Sequence, residues 1–156
     1  MNTDEQWMKQ AITEAKKALA KNEVPIGGVV VCDGKVIGRG YNQKETKKSP
    51  LAHAEVIAIQ KAAKKLGSWY LDKCTLYVTL EPCLMCTGLL WQCRISRVVY
   101  GLPDPKSGAL GSLYQLNTDK RLNHRYEVVS GVLQDECHQL LKDFFRGRRA
   151  KSPCRK

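Results

Sequence analysis

The stretch Thr75–Gly101, TLYVTLEPCLMCTGLLWQCRISRVVYG, carries three consecutive signals of regular structure. Residues 75–80 form a short apolar run rich in β-branched and aromatic side chains, which predicts a strand. Pro82 suits the first turn of a helix, because proline lacks only an N–H that would be unpaired there. We expect that helix to continue to about Gln92 and the next strand to span 97–101. A strand, a helix and a strand in this order predict parallel strands joined by a right-handed crossover.

The sequence before this stretch predicts a helix followed by a hairpin. Thr3 and Gln6 have the spacing of a capping box at the start of an amphipathic helix. Ile26–Cys32 is a nearly continuous apolar run, as expected of a strand that is covered on both faces. Asp33-Gly34 then predicts a two-residue turn into a second strand that pairs antiparallel with the first.

The remaining elements continue the alternation of helices and strands. A helix rich in alanine and isoleucine is predicted from 53 to 66. A short helix is expected near 112–116, a fifth strand at 126–130, and a last helix from about Leu133. This order predicts a three-layer α/β/α fold around a central five-stranded mixed sheet, in a single domain that spans 1–156.

Composition narrows the class of protein. The chain has 156 residues, of which 43% are apolar, and no apolar stretch approaches the roughly 20 residues needed to span a bilayer. Asp4 and Glu5 stand where a signal peptide would carry positive charge. The odd count of seven cysteines argues against a disulfide framework. We therefore expect a cytoplasmic protein with no membrane partner.

The charge is strongly unbalanced toward basic residues. The formal net charge is +11, which favours a polyanionic partner, although a merely basic surface would give the same number. No acidic residue follows Asp143, and the end of the last helix and its tail (about 146–156) carry basic residues at Arg146, Arg148, Arg149, Lys151, Arg155 and Lys156. Some of these would complement the helix dipole, but six exceed what a helix end needs. Contact with nucleic acid or phosphate is therefore expected here.

Two short motifs carry the candidate chemistry, His53-Ala54-Glu55 and Pro82-Cys83-Leu84-Met85-Cys86. Taken singly, His53 could be a hydrogen-bonded loop residue, and Glu55 could favour a helix dipole. The two cysteines could form a redox pair or half of a structural zinc site. A four-cysteine zinc site needs a second close pair, which the sequence lacks, and a redox pair leaves His53 and Glu55 without a role.

Taken together, the motifs predict one catalytic zinc ion per chain. Cys83 and Cys86 share a helical face, and the positive helix start favours their thiolate forms. With His53 they make three protein ligands, which leaves a fourth position for water. Zinc can lower the pKa of water to about 7, and Glu55 is placed to take up its proton. H-x-E with P-C-x-x-C is the signature of zinc-dependent nucleobase deaminases.

Further stretches extend the match beyond the zinc motifs. They are Glu23-Val24-Pro25-Ile26-Gly27, Gly40-Tyr41-Asn42, Ala52-His53-Ala54-Glu55, Leu76-Tyr77-Val78-Thr79-Leu80-Glu81-Pro82-Cys83, Gly108-Ala109-Leu110-Gly111-Ser112-Leu113, Leu122-Asn123-His124-Arg125 and Asp143-Phe144-Phe145-Arg146. On these residues the sequence resembles the bacterial tRNA-specific adenosine deaminases over nearly its full length. The resemblance implies a cytidine deaminase-like fold and the hydrolysis of adenosine to inosine at the wobble position of a tRNA anticodon, such as the ACG of an arginine tRNA.

The resemblance also implies roles for particular residues. Glu55 would protonate N1 of adenine and then the leaving amine, while Asn42 and the Ala54 backbone N–H would hold the base. Asp104 and Asn123 match positions near the flanking nucleotides. The charge of the helix end agrees with this, because Arg146, Arg148, Arg149 and Lys151 could contact phosphates. The family forms homodimers, which implies a homodimer here as well.

The sequence alone leaves open purely structural roles for some of these residues, and it leaves open two other functions. Asn42, Asp104 and Asn123 could each be ordinary turn or cap residues. One rival is a deaminase of a free base or nucleoside, such as guanine or cytosine, which would share the zinc site but has no need of the basic helix end. Another is a zinc-stabilised RNA-binding module without catalysis, which would not need Glu55.

Overall fold

A computed structural model describes residues 2–151, and for 149–151 it describes the backbone alone. The predicted basic tail at 152–156 and the side chain of Arg149 lie outside the described residues. The helices are α1 (Thr3–Ala20), α2 (Lys44–Lys47), α3 (Ala54–Leu66), α4 (Leu84–Gln92) and α5 (Gln134–Lys151), with a 3₁₀ turn at Leu116–Thr118. The strands are β1 (Gly27–Cys32), β2 (Lys35–Tyr41), β3 (Cys74–Leu80), β4 (Arg97–Leu102) and β5 (Glu127–Val129).

The five strands form one mixed sheet in the order β2-β1-β3-β4-β5. The pair β1–β2 and the pair β1–β3 are antiparallel, whereas β3–β4 and β4–β5 are parallel. The parallel pair β3–β4 is connected through α4, as the quoted stretch predicts. Because β3 and β4 run in the same direction, their carboxyl ends at Leu80 and Leu102 meet at one edge, where open α/β sheets bind ligands.

Helices cover both faces of the sheet and bury two apolar clusters. Val30 packs with residues of α3 and α4 on one face, while its neighbours Val29 and Val31 pack with residues of α1 and Cys137 of α5 on the other. This alternation explains the continuous apolar run of β1, because both of its faces are buried. The predicted three-layer α/β/α fold with a five-stranded mixed sheet is confirmed.

Glycines in β2 allow α3 to lie unusually close to the sheet. A Cβ at Gly40 would collide with the backbone of Ala54 and Ala58, and a Cβ at Gly38 would collide with the backbone of Ala58 and Ala62. Only residues without a side chain fit at these two positions. The close approach fixes the start of α3, and with it the residues that open that helix, against the end of β2.

Several local predictions were wrong. The capping box at α1 uses Asn2 and Glu5, because Asn2 accepts from the Glu5 N–H at 2.8 Å and Glu5 accepts from the Asn2 N–H at 3.2 Å. The loop before α3 contains the extra short helix α2, and the expected helix near 112–116 is the later turn at 116–118.

Within residues 2–151, no helix combines the length and hydrophobicity that crossing a membrane requires.

Candidate active site

His53 and Cys83 occupy equivalent positions, each as the N-cap of the helix that follows it. Such a position is usually filled by Ser, Thr, Asp or Asn, whose side chain bonds the first N–H groups of the helix. Neither His53 nor Cys83 makes a capping hydrogen bond. Both side chains are therefore directed away from their own helices, and they meet each other at the carboxyl edge of the sheet.

Three potential metal ligands converge at this point. The Cys83 Sγ lies 3.7 Å from the His53 Nδ1, and the Cys86 Sγ lies 3.5 Å from the same nitrogen. The three ligand atoms all lie within 4.8 Å of one another, and no other group of three His, Cys, Asp or Glu residues among the described residues does so. Tetrahedral zinc with its usual bond lengths separates a nitrogen and a sulfur ligand by about 3.6 Å. The spacing therefore fits a zinc ion.

Electrostatics set the two cysteine side chains apart, because the hydrogen bond with Cys83, and after it burial, raises the pKa of the Cys86 thiol. The hydrogen bond from Cys86, and after it the one from His53, lowers the pKa of the Cys83 thiol to about 4. The ligating form of cysteine is the thiolate, so Cys83 is ready to bind a metal at neutral pH. Glu55 is 4% exposed, and burial raises the pKa of its carboxyl group to about 7. A carboxyl group with such a pKa can both release and accept a proton near neutrality.

A cavity of about 460 Å³ opens directly above these residues. Its volume lies within the range of about 300–1,000 Å³ that is typical of small-molecule sites. Its base contains His53, Glu55 and Cys83, together with Ala54 of α3. The lining continues with Val24, Ile26, Asn42 and Lys44 on one side, with Pro103, Asp104, Pro105, Lys106 and Ser107 on the other, and with Leu141 and Phe145 of α5. The predicted residues Asn42, Ala54, Glu55 and Asp104 thus share one cavity with His53 and Cys83, and Cys86 lies buried beside them.

Asn42 and Asp104 also have clear structural contacts. The Asn42 amide donates to the Val24 carbonyl at 3.2 Å and accepts from the Lys44 N–H at 3.1 Å. The Asp104 carboxylate accepts from the Lys106 N–H at 3.1 Å and from the Ser107 hydroxyl at 2.7 Å. Each side chain therefore shapes its own turn, and each retains hydrogen-bonding capacity toward the cavity.

The other predicted contact residues lie outside the cavity. Asn123 is exposed, and it lies between Leu122 and His124, which line a separate apolar pocket of about 170 Å³. Arg146 is 63% exposed and lies 3.7 Å from the Asp143 carboxylate. The Arg148 guanidinium lies over the Phe144 ring, 5.6 Å from its centroid. None of these three residues lines the cavity that contains His53 and Cys83.

Sequence reasoning gave no role to several residues that shape the site. Lys44 and Phe145 line the cavity, and Glu23 and Glu81 are acidic residues that are 1% and 2% exposed. A signal was present for Glu81, which lies between Leu80 and Pro82 at the end of an apolar run, whereas Glu23 directly follows the polar residue Asn22. What each carboxylate contacts depends on loops distant in sequence, so the signal alone could not identify the partners.

Comparison with known proteins identifies the family. The family described as MafB19-like deaminase matches residues 2–149. A protein of Bacillus subtilis (strain 168) named tRNA-specific adenosine deaminase is 52% identical over 151 residues, which cover 97% of this chain and 94% of that protein. The chain belongs to the tRNA-specific adenosine deaminase family.

Solved structures agree with this family assignment. One from studies of A-to-I editing by tRNA:A34 deaminases at the wobble position of transfer RNA has a TM-score of 0.84 and 40% identity, over 87% of this chain and 99% of its own. A guanine deaminase from Bacillus subtilis is 43% identical but has a TM-score of 0.63, over 66% of each chain. The tRNA:A34 deaminase structure therefore covers more of this chain than the Bacillus subtilis guanine deaminase does.

Proposed function

We propose that this protein hydrolyses adenosine to inosine at the wobble position of a tRNA anticodon, with one Zn²⁺ per chain held by His53, Cys83 and Cys86. The observation that carries the proposal is that these three side chains converge and that two of them, His53 and Cys83, line one cavity together with Glu55. The substrate follows from the 52% identity to a tRNA-specific adenosine deaminase. An arginine tRNA with an ACG anticodon is the first substrate to test.

The reaction adds water at C6 of adenine and releases ammonia, so protons must move from water to the base. Zinc, when bound, supplies the polarisation that makes water nucleophilic near neutral pH. Glu55 is the buried acid–base group at the cavity base. It would take a proton from water, deliver it to N1, and then transfer the second proton to the departing amine. Both protons of the added water would end in the products, one on N1 and one in the released ammonia, and Glu55 would return to its starting ionisation state.

The side walls of the cavity would hold the adenine ring in place during this reaction. An adenine splayed out of an RNA loop would enter between largely apolar surfaces that include Val24, Ile26 and Leu80. Asn42 would hydrogen-bond the base edge, since an amide side chain can both donate to adenine and accept from it. Ala54 is the first residue of α3 and precedes Glu55, and its backbone N–H would donate a hydrogen bond to adenine from the floor of the cavity.

Basic and polar residues around the cavity would contact the rest of the RNA. Lys44 lies at the cavity, and the basic end of α5 contributes Arg146 and Arg148 beside the cavity residue Phe145. We propose that these residues and Arg149 bind phosphates and that Asp104 and Asn123 contact flanking nucleotides. Because the protein has a formal net charge of +11, its affinity for RNA should fall steeply as the salt concentration is raised.

We further propose that residues 1–156 act as one domain, that the protein is cytoplasmic where its tRNA substrate is found, and that two copies form a homodimer. Large apolar side chains on the surface are the candidates for such an interface. They are Leu51, Leu66, Trp69, Tyr70, Leu84, Leu113, Tyr114 and Phe145, exposed by 43% to 66%.

The deciding experiment compares substrates under identical conditions. The protein is incubated with the arginine tRNA, with free adenosine, with cytidine and with guanine, and the products are separated and quantified. We expect inosine in the tRNA and little product from the small substrates. Preferred deamination of guanine would instead favour the second candidate function, which the 43% identity to a guanine deaminase makes the main rival. RNA binding without turnover would support a non-catalytic module.

A further inference from the structure

Two buried carboxylates bind the main chain of opposite walls of the cavity, and Glu81 itself is among the lining residues. Glu81 is 2% exposed and Glu23 is 1% exposed. Glutamate is almost never fully buried without strong partners, because removing its charge from water is costly. Among the described residues, neither carboxylate forms an ion pair with Lys, Arg or His; both are bound by backbone N–H groups instead. Each of them therefore holds a segment of main chain.

Glu81 gathers the segment 104–112 around its two oxygens. Its Oε1 accepts from the Asp104 N–H at 2.9 Å and from the Ser112 hydroxyl. Its Oε2 accepts from the Leu110 N–H at 2.9 Å and from the Ser112 N–H at 3.1 Å. The segment begins at the cavity wall formed by Asp104 and its neighbours, and its middle passes the strand–helix junction, where the Ala109 N–H donates to the Pro82 carbonyl at 2.9 Å.

The segment is wrapped closely around the carboxylate. A Cβ at Gly108 would collide with the carboxylate carbon and with both oxygens of Glu81. The chain crosses the carboxylate at this glycine, and Gly108 also forms a bridge with Cys83. Glycine is therefore required at the position where the wall passes between Glu81 and the metal ligand.

Glu23 has the matching role on the other wall. Its Oε1 accepts from the Glu45 N–H at 3.1 Å and its Oε2 accepts from the Thr46 N–H at 2.6 Å. Burial alone would raise the pKa of Glu23, but hydrogen bonds from Thr46 and Glu45 outweigh it, so the pKa lies below its usual value. The bound N–H groups belong to α2, which begins at Lys44 on the cavity and follows directly after Asn42.

We propose that Glu81 and Glu23 are positioning residues that hold the two walls of the cavity at the separation the RNA substrate requires. The inference rests on the proposed function. Neither carboxylate needs to touch the RNA or to enter the proton transfers. Both act through the main chain that they bind, Glu81 on the wall that carries Asp104 and Glu23 on the wall that carries Lys44.

The substitution Glu81→Gln tests this with little change in shape. Both oxygens of Glu81 accept from backbone N–H groups, so the glutamine NH₂ must face an N–H donor in either orientation. If it replaces Oε1 it faces the N–H of Asp104, and if it replaces Oε2 it faces those of Leu110 and Ser112. Two donors in contact repel and leave a buried group unsatisfied, so the segment must move.

The matched control is Glu14→Gln. Glu14 is also 2% exposed, but it lies on α1, away from the cavity, and its carboxylate pairs with Lys17 at 2.8 Å and Arg39 at 3.8 Å. Both variants remove one buried negative charge. Only Glu81→Gln disturbs a cavity wall, so effects common to both variants reflect stability and effects confined to Glu81→Gln reflect positioning.

Three quantities are measured on each zinc-loaded variant: zinc per chain, kcat and KM for an anticodon stem-loop, and amide hydrogen exchange. For Glu81→Gln we expect unchanged zinc, a rise in KM of about tenfold with a smaller change in kcat, and faster exchange at Leu110 and Ser112. For Glu14→Gln we expect wild-type KM and wild-type exchange in 104–112. Glu23→Gln should raise KM and accelerate exchange at Glu45 and Thr46.

A KM of Glu81→Gln within twofold of the wild type, or unchanged exchange in 104–112, would overturn the proposal. If Glu81→Gln does not fold, Ser112→Ala removes only the hydroxyl donor and should change KM and exchange in the same direction by about twofold. No change in that variant would also count against the role of Glu81. If the wild type makes no inosine in any RNA, the proposed function fails, while the exchange data still decide whether Glu81 positions the wall.

Discussion

The base of the cavity and its walls are built in different ways. At the base, His53 and Cys83 each cap a helix, and Glu55 and Cys86 follow within one helical turn. On the walls, side chains bond to main chain far away in the sequence, as Glu81 does with Leu110, 29 residues later. The base is therefore encoded by short motifs, whereas the walls depend on the packing of distant segments. The two regions should respond differently to substitution.

The largest effect is expected from loss of a ligand at the base. In Cys86→Ala the zinc content should fall from one per chain to near zero, because two protein ligands hold zinc far less tightly than three. Turnover should fall by more than about 10³-fold, since no comparable nucleophile remains. Zinc is measured by elemental analysis of the freshly purified protein.

Cys93→Ala is the control for this prediction. Cys93 is also a buried cysteine, 5% exposed, but it packs in the core on the face of α3 and α4 and lies outside the ligand group. The variant should keep its zinc and its activity and lose only stability. Loss of zinc in Cys93→Ala but not in Cys86→Ala would contradict the assignment of the ligands.

The second effect separates chemistry from metal binding within the base. Glu55→Gln keeps the shape of the side chain and removes its capacity to move protons. Zinc content should remain at one per chain while kcat falls by about 10²- to 10⁴-fold. KM for RNA should change little, because the walls are intact. A variant that retains zinc and most of its kcat would show that another group transfers the protons.

The difference between the base and the walls of the cavity also explains which parts of the site could be predicted from the sequence. The spacing of Cys83 and Cys86 and the helix starts at His53 and Cys83 are local, so the ligand group could be anticipated from three or four residues at a time. The mixed sheet followed from alternating strands and helices for the same reason. The partners of Glu81 and Glu23 could not be anticipated, because nothing near either glutamate specifies which loop folds back onto it.

The cap of α1 shows the same limit on a smaller scale. Thr3 and Gln6 have the spacing of a capping box, but so do Asn2 and Glu5, one residue earlier, and the latter pair forms it. Two overlapping candidates of equal quality cannot be separated by pattern alone. Met8 and Ala11 pack against β1 whichever residue is the N-cap, so the apolar pattern of the helix does not choose between the two candidates.

A third prediction concerns the wall that carries Asn42. Asn42→Ala removes the bonds to the Val24 carbonyl and the Lys44 N–H together with any contact to adenine. We expect kcat/KM for the RNA to fall by about 10- to 100-fold, as for loss of a base-reading amide, with zinc content unchanged. The effect should be smaller than that of Glu55→Gln. Wild-type kcat/KM in this variant would leave the turn at 42–44 as the whole role of Asn42.

The smallest effect is expected at the opposite edge of the sheet, where Asp4 meets the amino end of β4. Arg97 binds the Asp4 carboxylate through two bonds of 2.8 Å, and the Tyr77 hydroxyl donates to it at 2.9 Å. The hydrogen bond from Arg97, stronger than the opposing effect of burial, lowers the pKa of Asp4. Asp4→Asn should therefore reduce the free energy of unfolding at pH 7 by about 1 kcal/mol without changing kcat or KM.

The pH dependence of that loss gives it a distinct signature. A carboxyl group whose pKa is lower in the folded than in the unfolded protein stabilises the fold fully above the ordinary aspartate pKa of about 3.9. The contribution disappears as the pH falls through the lower folded pKa, so the free energies of unfolding of the wild type and Asp4→Asn should converge in acid.

Asp119→Asn is the control, because Asp119 pairs with Arg121, which is 90% exposed, and such a pair adds little to the free energy of unfolding. Urea unfolding between about pH 2 and about pH 7 follows the difference through this range. A change in kcat/KM in Asp4→Asn would show that the two edges of the sheet are coupled and that function is not confined to the edge that carries the cavity.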